Sequence, residues 1–221
     1  MSSSSSKRQS VLPRGAPSGP KAPVNFSSSI IIADSALLAG HHTINVSSES
    51  VIHPRARLDS ANGRVTIGRR CIVHERTVVG AAPSMTAPNP PPPSVPAVDS
   101  LRSGGGGGDG NASASGGVMI HDYATIEVNA VIESGGTVIG EGSLVGVGCK
   151  IGKGAKIGKH CTLTPQTIIQ PGEVVPDFTV VYSNGTRRLD RRGVSELKNK
   201  VQARQIEVLR KLIHSHPAKF Q

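Results

Sequence analysis

From Ile139 onward an aliphatic residue returns every six positions: Ile139, Val145, Ile151, Ile157, Leu163, Ile169, Val175 and Val181. Ile120, Ile126 and Ile132 carry the same period upstream, with one extra residue before Ile139. Val46, Ile52 and Leu58 form an earlier run and Ile67, Val73 and Val79 another, with three extra residues near Asn62-Gly63 between them. Ile32 and Leu38 open the series, and the register near Ile44 is left open. A period of six fits neither a helix, at about 3.6, nor a simple strand, at about 2. It fits a coil of short strands joined by corners, and a fixed short period is the mark of a repeat architecture.

A second column supports this reading. Four residues after the aliphatic stands a small side chain: Ala56, Cys71, Thr77, Ala124, Ala130, Ser143, Cys149, Ala155, Cys161, Thr167 and Thr179. Glycine often follows the aliphatic directly, as at Gly68, Gly80, Gly140, Gly146, Gly152 and Gly158, where side-chain room is short or the backbone bends. With aromatics at 2% and no Trp, the core must be narrow and filled by Val, Ile, Leu and small residues.

The formal charge of +10 sits at the ends. Residues 1–29 contribute +4, residues 187–221 ten basic and three acidic side chains (+7), residues 81–117 contribute −1, and the rest sums to zero. A neutral body without aromatic platforms argues against specific nucleic-acid binding. Residues 1–29, rich in Ser, Pro and Gly, read as a disordered tail, and residues 81–117, with the Pro run 90–93 and the Gly run 104–108, as a disordered insert. The solenoid is expected over 30–182, and a basic linker and helix over 183–221. Three cysteines, Cys71, Cys149 and Cys161, form no disulfide framework. No signal-peptide pattern and no membrane-spanning run is visible, which implies a reducing setting.

Residues 194–213 read as an amphipathic helix. Leu197, Val201, Val208 and Leu212 share one face, widened by Ile206, Leu209 and Ile213. The simplest role is to lie along the solenoid; partner binding is the alternative. Together with Arg187, Arg188, Arg191 and Arg192, which suit carboxylate partners, the residues Leu197, Val201, Val208 and Leu212 form the candidate interface. Lys150, Lys153, Lys156 and Lys159 follow consecutive corners and suggest a solvated edge or an anion-binding stripe. Among eight histidines, His53, His74 and His121 each follow an inward aliphatic, and the spacing stacks His53 on His74 in adjacent turns. Two such rings fall short of the three convergent ligands a metal needs. An outward slot of this kind also accepts any polar residue, as Asp59 and Glu127 show.

The repeat over about residues 30–182 resembles the hexapeptide-repeat family, which implies a left-handed parallel β-helix, an all-β solenoid of triangular section with roughly six turns. The family contains carbonic anhydrases, acyltransferases and non-catalytic subunits. The anhydrase branch places three histidine ligands at positions that fall here on about Gly80, Val128 and Glu133, so no metal is expected. The acyltransferase branch uses a loop histidine and a thioester cofactor; residues 81–117 hold no His, which leaves His53, His74 or His121 as a possible base and no cofactor expected. Within the family, Val51-Ile52-His53-Pro54-Arg55-Ala56-Arg57, Val65-Thr66-Ile67-Gly68, Val128 to Glu133, Val175 to Tyr182, Arg187-Arg188 and the terminal helix resemble the β-helical pointed-end subunits of dynactin. That resemblance implies a cytoplasmic, non-enzymatic, cytoskeleton-associated subunit of a hetero-oligomer. Its partners would be dynactin subunit 5 as a second β-helical subunit, the pointed-end actin-related protein and other dynactin subunits, in support of dynein-driven transport and cargo selection. An acyltransferase or carbonic anhydrase-like enzyme is the alternative. If the insert lies outside the cooperative fold, deleting residues 84–115 will leave the thermal transition nearly unchanged by circular dichroism; loss of the transition would place it inside.

Overall fold

The computed structural model describes residues 21–83, 116–215 and 217–220. The expected disorder of 1–29 and 81–117 therefore falls largely outside the described residues. Residues 21–29 do not fit that expectation: the first strand, β1 (Val24–Phe26), lies there, and the solenoid begins before residue 30. Its start escapes the period because eight residues, not six, separate Leu38 from the inward Val46 of the next turn.

Twenty short strands, β1 to β20 (Thr179–Val181), wind into a parallel β-solenoid, three to a turn, so that every third strand stacks on one of three faces. Face 1 carries the inward residues Phe26, Val46, Ile67, Ile120, Ile139, Ile157 and Val175. Face 2 carries Ile32, Ile52, Val73, Ile126, Val145, Leu163 and Val181. Face 3 carries Leu38, Leu58, Val79, Ile132, Ile151 and Ile169. These columns are the core, and from Ile44 to Val181 their members are almost wholly buried. The second column is buried too: Ala56, Cys71, Ala124, Ala130, Cys149 and Ala155 fill the angles of the prism, where a larger side chain would not fit.

The corners show what the period alone conceals. The chain turns at the residue three after the inward aliphatic, which adopts a left-handed conformation: Glu49, Arg55, Arg70, Arg76, Tyr123, Asn129, His160, Gln166 and Phe178 all have φ between 53° and 61°. This conformation is costly for any residue with a Cβ, and in the later turns Gly142, Gly148, Gly154 and Gly172 take the same place. The glycines directly after the aliphatic answer a different need. A Cβ on Gly152 would lie 2.6 Å from the backbone nitrogen of Pro171 in the next turn.

Every departure from six falls at one corner. Faces 1 to 2 and 2 to 3 are always joined by the regular step. From face 3 to face 1 the steps are Leu38 to Val46, Leu58 to Ile67, Val79 to Ile120 and Ile132 to Ile139, and only the last two, Ile151 to Ile157 and Ile169 to Val175, are regular. The insert leaves after Ala81 and returns at Val118, and strand pairing continues across it, Val118 lying beside Val65.

Beyond the solenoid, β21 (Arg187–Leu189) pairs antiparallel with β20, and helix α1 (Ser195–Leu212) runs back along face 2. Ile206, with Leu209 and Ile213, packs on the outward residues Ile31, Val51 and Ile72 of the first three turns. The Gln202 side-chain amide donates to the Arg70 carbonyl at 2.8 Å. After the helix, Ser215 Oγ accepts from the Ile32 amide at 2.9 Å, Lys219 Nζ donates to the Asp34 carbonyl, and Phe220 packs against the core at the first turn. The chain thus covers its own N-terminal end. Among the described residues no helix is long and apolar enough to cross a membrane.

The two kinds of glycine separate in mutation. Gly172, left-handed at φ 71° with nothing within 4 Å of an added Cβ, should lose about 1 kcal/mol as Gly172→Ala. Gly152→Ala, which drives a Cβ into backbone, should lose about 3 kcal/mol or more. Urea denaturation of both variants measures the difference.

Candidate functional site

The i+1 position on face 2 forms one column through the turns: His53, His74, Glu127, Gly146 and Thr164. The parallel ladder that pairs Ile52 with Val73 brings the two imidazoles together, stacked with ring centroids 4.6 Å apart and planes 27° from parallel. The expected stack is therefore present. His121 is not part of it: it follows Ile120 on face 1, exposed at a different corner. Among the described residues no group of three or more His, Cys, Asp or Glu could hold a metal ion.

His53 is half-buried, and its Nε2 is enclosed with no hydrogen-bond partner. Burial, then repulsion from the His74 ring, lowers its pKa to about 4 against a small opposing pull from Glu75. It is neutral at pH 7. The register sets Glu127 beside His74 in the next turn.

Glu127 also borders a cleft of about 500 Å³ between face 2 and the first half of α1. The helix packs closely on the first three turns, but over the fourth and fifth the outward residues are Thr125 and Leu144 and a gap opens. Tyr123, Val194, Leu197 and Val201 complete an apolar wall, with Lys198 and Gln205 at the rim. Behind Tyr123, its hydroxyl accepts from Arg70 at 2.8 Å, and Arg70 pairs in turn with Glu49.

The sequence-predicted groups are distributed differently from expectation. The helix buries only part of its apolar arc. Leu197, Val201, Val208 and Leu212 are exposed at 62%, 58%, 56% and 69%, because Gln202, Ile206 and Leu209 face the solenoid instead. Arg187 pairs with Glu173 and Arg192 with Asp190, so two of the four linker arginines are engaged within the chain; Arg188 and Arg191 are exposed. The Arg192 guanidinium holds the Asp190 carboxyl well below the usual carboxylate range. Lys150, Lys153, Lys156 and Lys159 do not form a stripe: six residues advance the chain by one face, so they belt a single turn across faces 3 and 1. The cysteines are buried and free, with the Cys71 thiol pushed up to about 12 by burial and its Sγ donating to the His121 carbonyl at 3.0 Å.

The family profile described as bacterial transferase hexapeptide (six repeats) matches residues 136–171, which bears out the hexapeptide repeat and the left-handed β-helix. No curated protein matches the chain in sequence. Two solved structures share the fold over nearly their whole length. A hexapeptide transferase family protein of Anaplasma phagocytophilum is 13% identical with a TM-score of 0.61, the match covering 86% of this chain and 96% of that one. A Bacillus cereus protein provisionally named an acetyltransferase is 15% identical with a TM-score of 0.57, covering 87% and 99%. At such identities the likeness is one of fold. The family profile and both neighbours carry transferase names, and this corrects the expectation of a non-catalytic dynactin subunit 6.

The unfolded chain binds a proton at His53 from the ordinary value of 6.5 downward, whereas the folded chain binds it only near pH 4. Folded stability is therefore lost as pH falls through that window. His53→Gln should soften the loss between pH 6.5 and 4.5 by about 1 kcal/mol, allowing for a ring that is only half-buried, measured by urea denaturation at both pH values.

Proposed function

We propose that the chain is an acyltransferase that moves an acyl group from a thioester donor to an amine or hydroxyl acceptor, with His74 as general base. The observation that carries this reading is the His53–His74 stack, followed in the same column by Glu127, which lines the cleft. The transferase names of the structural neighbours and of the family profile support it. The anhydrase alternative lacks a metal-ligand set among the described residues.

The acceptor nitrogen or oxygen attacks the thioester carbonyl, and His74 takes its proton as the new bond forms. The tetrahedral intermediate collapses, the carbon–sulfur bond breaks, and the proton passes from His74 to the leaving thiolate. His53 stays neutral throughout, so it gives His74 an uncharged neighbour on one side. Glu127 is next in the column on the other side.

Free thiol released from acetyl- and octanoyl-CoA, with a panel of amines and sugar alcohols as acceptors, tests the reading. The wild-type chain should release thiol in an acceptor-dependent way, and His74→Ala should lower kcat/KM by about a hundredfold or more with an unchanged circular dichroism spectrum. A His74→Ala variant with the full rate, or no acceptor-dependent thiol from any pair, would overturn it.

A further inference from the structure

We infer that the outward stripe of α1 is a docking surface for an acidic amphipathic helix of a partner protein. Leu197, Val201, Val208 and Leu212 stay more than half exposed, while another arc of the same helix is buried on the solenoid through Ile206. Spacings of four, seven and four keep the exposed residues in one narrow stripe, the pattern of a helix–helix seam and not of a broad buried face.

The charges beside the stripe have one dominant sign. At about 100° per residue, Lys200, Arg204 and Lys211 run along one border of it. All three are exposed, and among the described residues none of them is in an ion pair. The other border leads to the arc that meets the solenoid, where Gln202 reaches the Arg70 carbonyl. A partner therefore approaches the stripe across the basic side. A helix with an apolar seam and carboxylates opposite Lys200, Arg204 and Lys211 meets both features at once.

Charge also decides between possible occupants. The helix carries five basic and two acidic side chains, so a second α1 would set +3 against +3. Residues 1–20 hold three basic side chains and no acid. Residues 84–115 hold only two acids, Asp99 and Asp109, and six prolines, which do not suit a helix. A lipid surface favours a wider apolar face with large aromatic rings, and α1 has no aromatic residue.

A fluorescently labelled peptide of about three heptads, with Leu along its seam and Glu at the flanking positions, tests this on the full chain by anisotropy. A twin peptide carries Lys in place of Glu. At about 50 mM salt the acidic peptide should bind at least about tenfold more tightly than its twin, and the difference should shrink at about 0.5 M salt. Val201→Ser combined with Val208→Ser should weaken acidic-peptide binding at least about tenfold. Arg204→Glu combined with Lys211→Glu should reverse the preference between the peptides. Circular dichroism checks that each variant folds. Equal affinity for the two peptides, or acidic-peptide binding that both pairs of substitutions leave intact, would overturn the inference. So would a dimer in sedimentation equilibrium that the serine pair abolishes, which gives the stripe to a second copy. Binding to phosphatidylserine vesicles that the serine pair abolishes gives it to a membrane, and peptide affinity that rises on deletion of residues 84–115 gives it to the insert; either result overturns the inference. The titration involves no turnover, so its outcome is separate from that of acyl transfer.

Discussion

Each turn of this solenoid is held to its neighbours by parallel backbone hydrogen bonds, and these form only if every corner returns the chain to the same register. The inward columns and the stacked histidines both depend on that condition. It explains why nine residues with side chains accept a left-handed φ at about 1 kcal/mol or more each. A corner without that residue would slip the next strand and turn its aliphatic outward. The inserted residues obey the same condition. However long the connection from Val79 to Ile120, Val118 comes back beside Val65 and the ladder is unbroken.

Confining the irregular steps to the corner between faces 3 and 1 leaves face 2 with regular steps on both sides. That is the face on which α1 docks. Strands stack at about 4.8 Å and a helix advances about 5.4 Å per turn, so the two surfaces stay matched for only a few turns. Ile206, Leu209 and Ile213 meet Ile31, Val51 and Ile72 over that distance. Further along, the outward residues become Thr125 and Leu144 and the fit ends. The cleft follows from this mismatch together with a change in side chains, and it lies against the part of the solenoid where Glu127 follows the histidines.

The inward columns were legible because burial on a fixed register leaves an aliphatic at every sixth position, and the stacking of His53 on His74 followed from the same count. The first strand was not legible, since Phe26 is the one aromatic in its column and an irregular step follows Leu38. The helix was visible, but not the arc it buries. Its apolar residues cover a wide sector, and the choice of Ile206 over Val201 depends on which face of the solenoid bears Ile31, Val51 and Ile72 in successive turns. Glu127 read as an ordinary polar residue in an outward slot. Its neighbour His74 lies on the far side of the insert in sequence, so only the ladder from Val73 to Ile126 brings the two together. The cleft needed contact between segments some seventy residues apart, Thr125 to Val194, which no local pattern records.

The spacing of the ladder also governs the charge of the histidine pair. Side chains at the same position in successive turns cannot move far apart, and the rings of His53 and His74 meet at 4.6 Å. A charge on the His74 ring at that distance opposes a charge on His53. Burial decides which ring stays neutral: His53, with its enclosed Nε2, resists the charge down to about pH 4. His74 lies between that neutral ring and the position of Glu127. The order His, His, Glu in this column is thus fixed by the same backbone register that stacks the two rings.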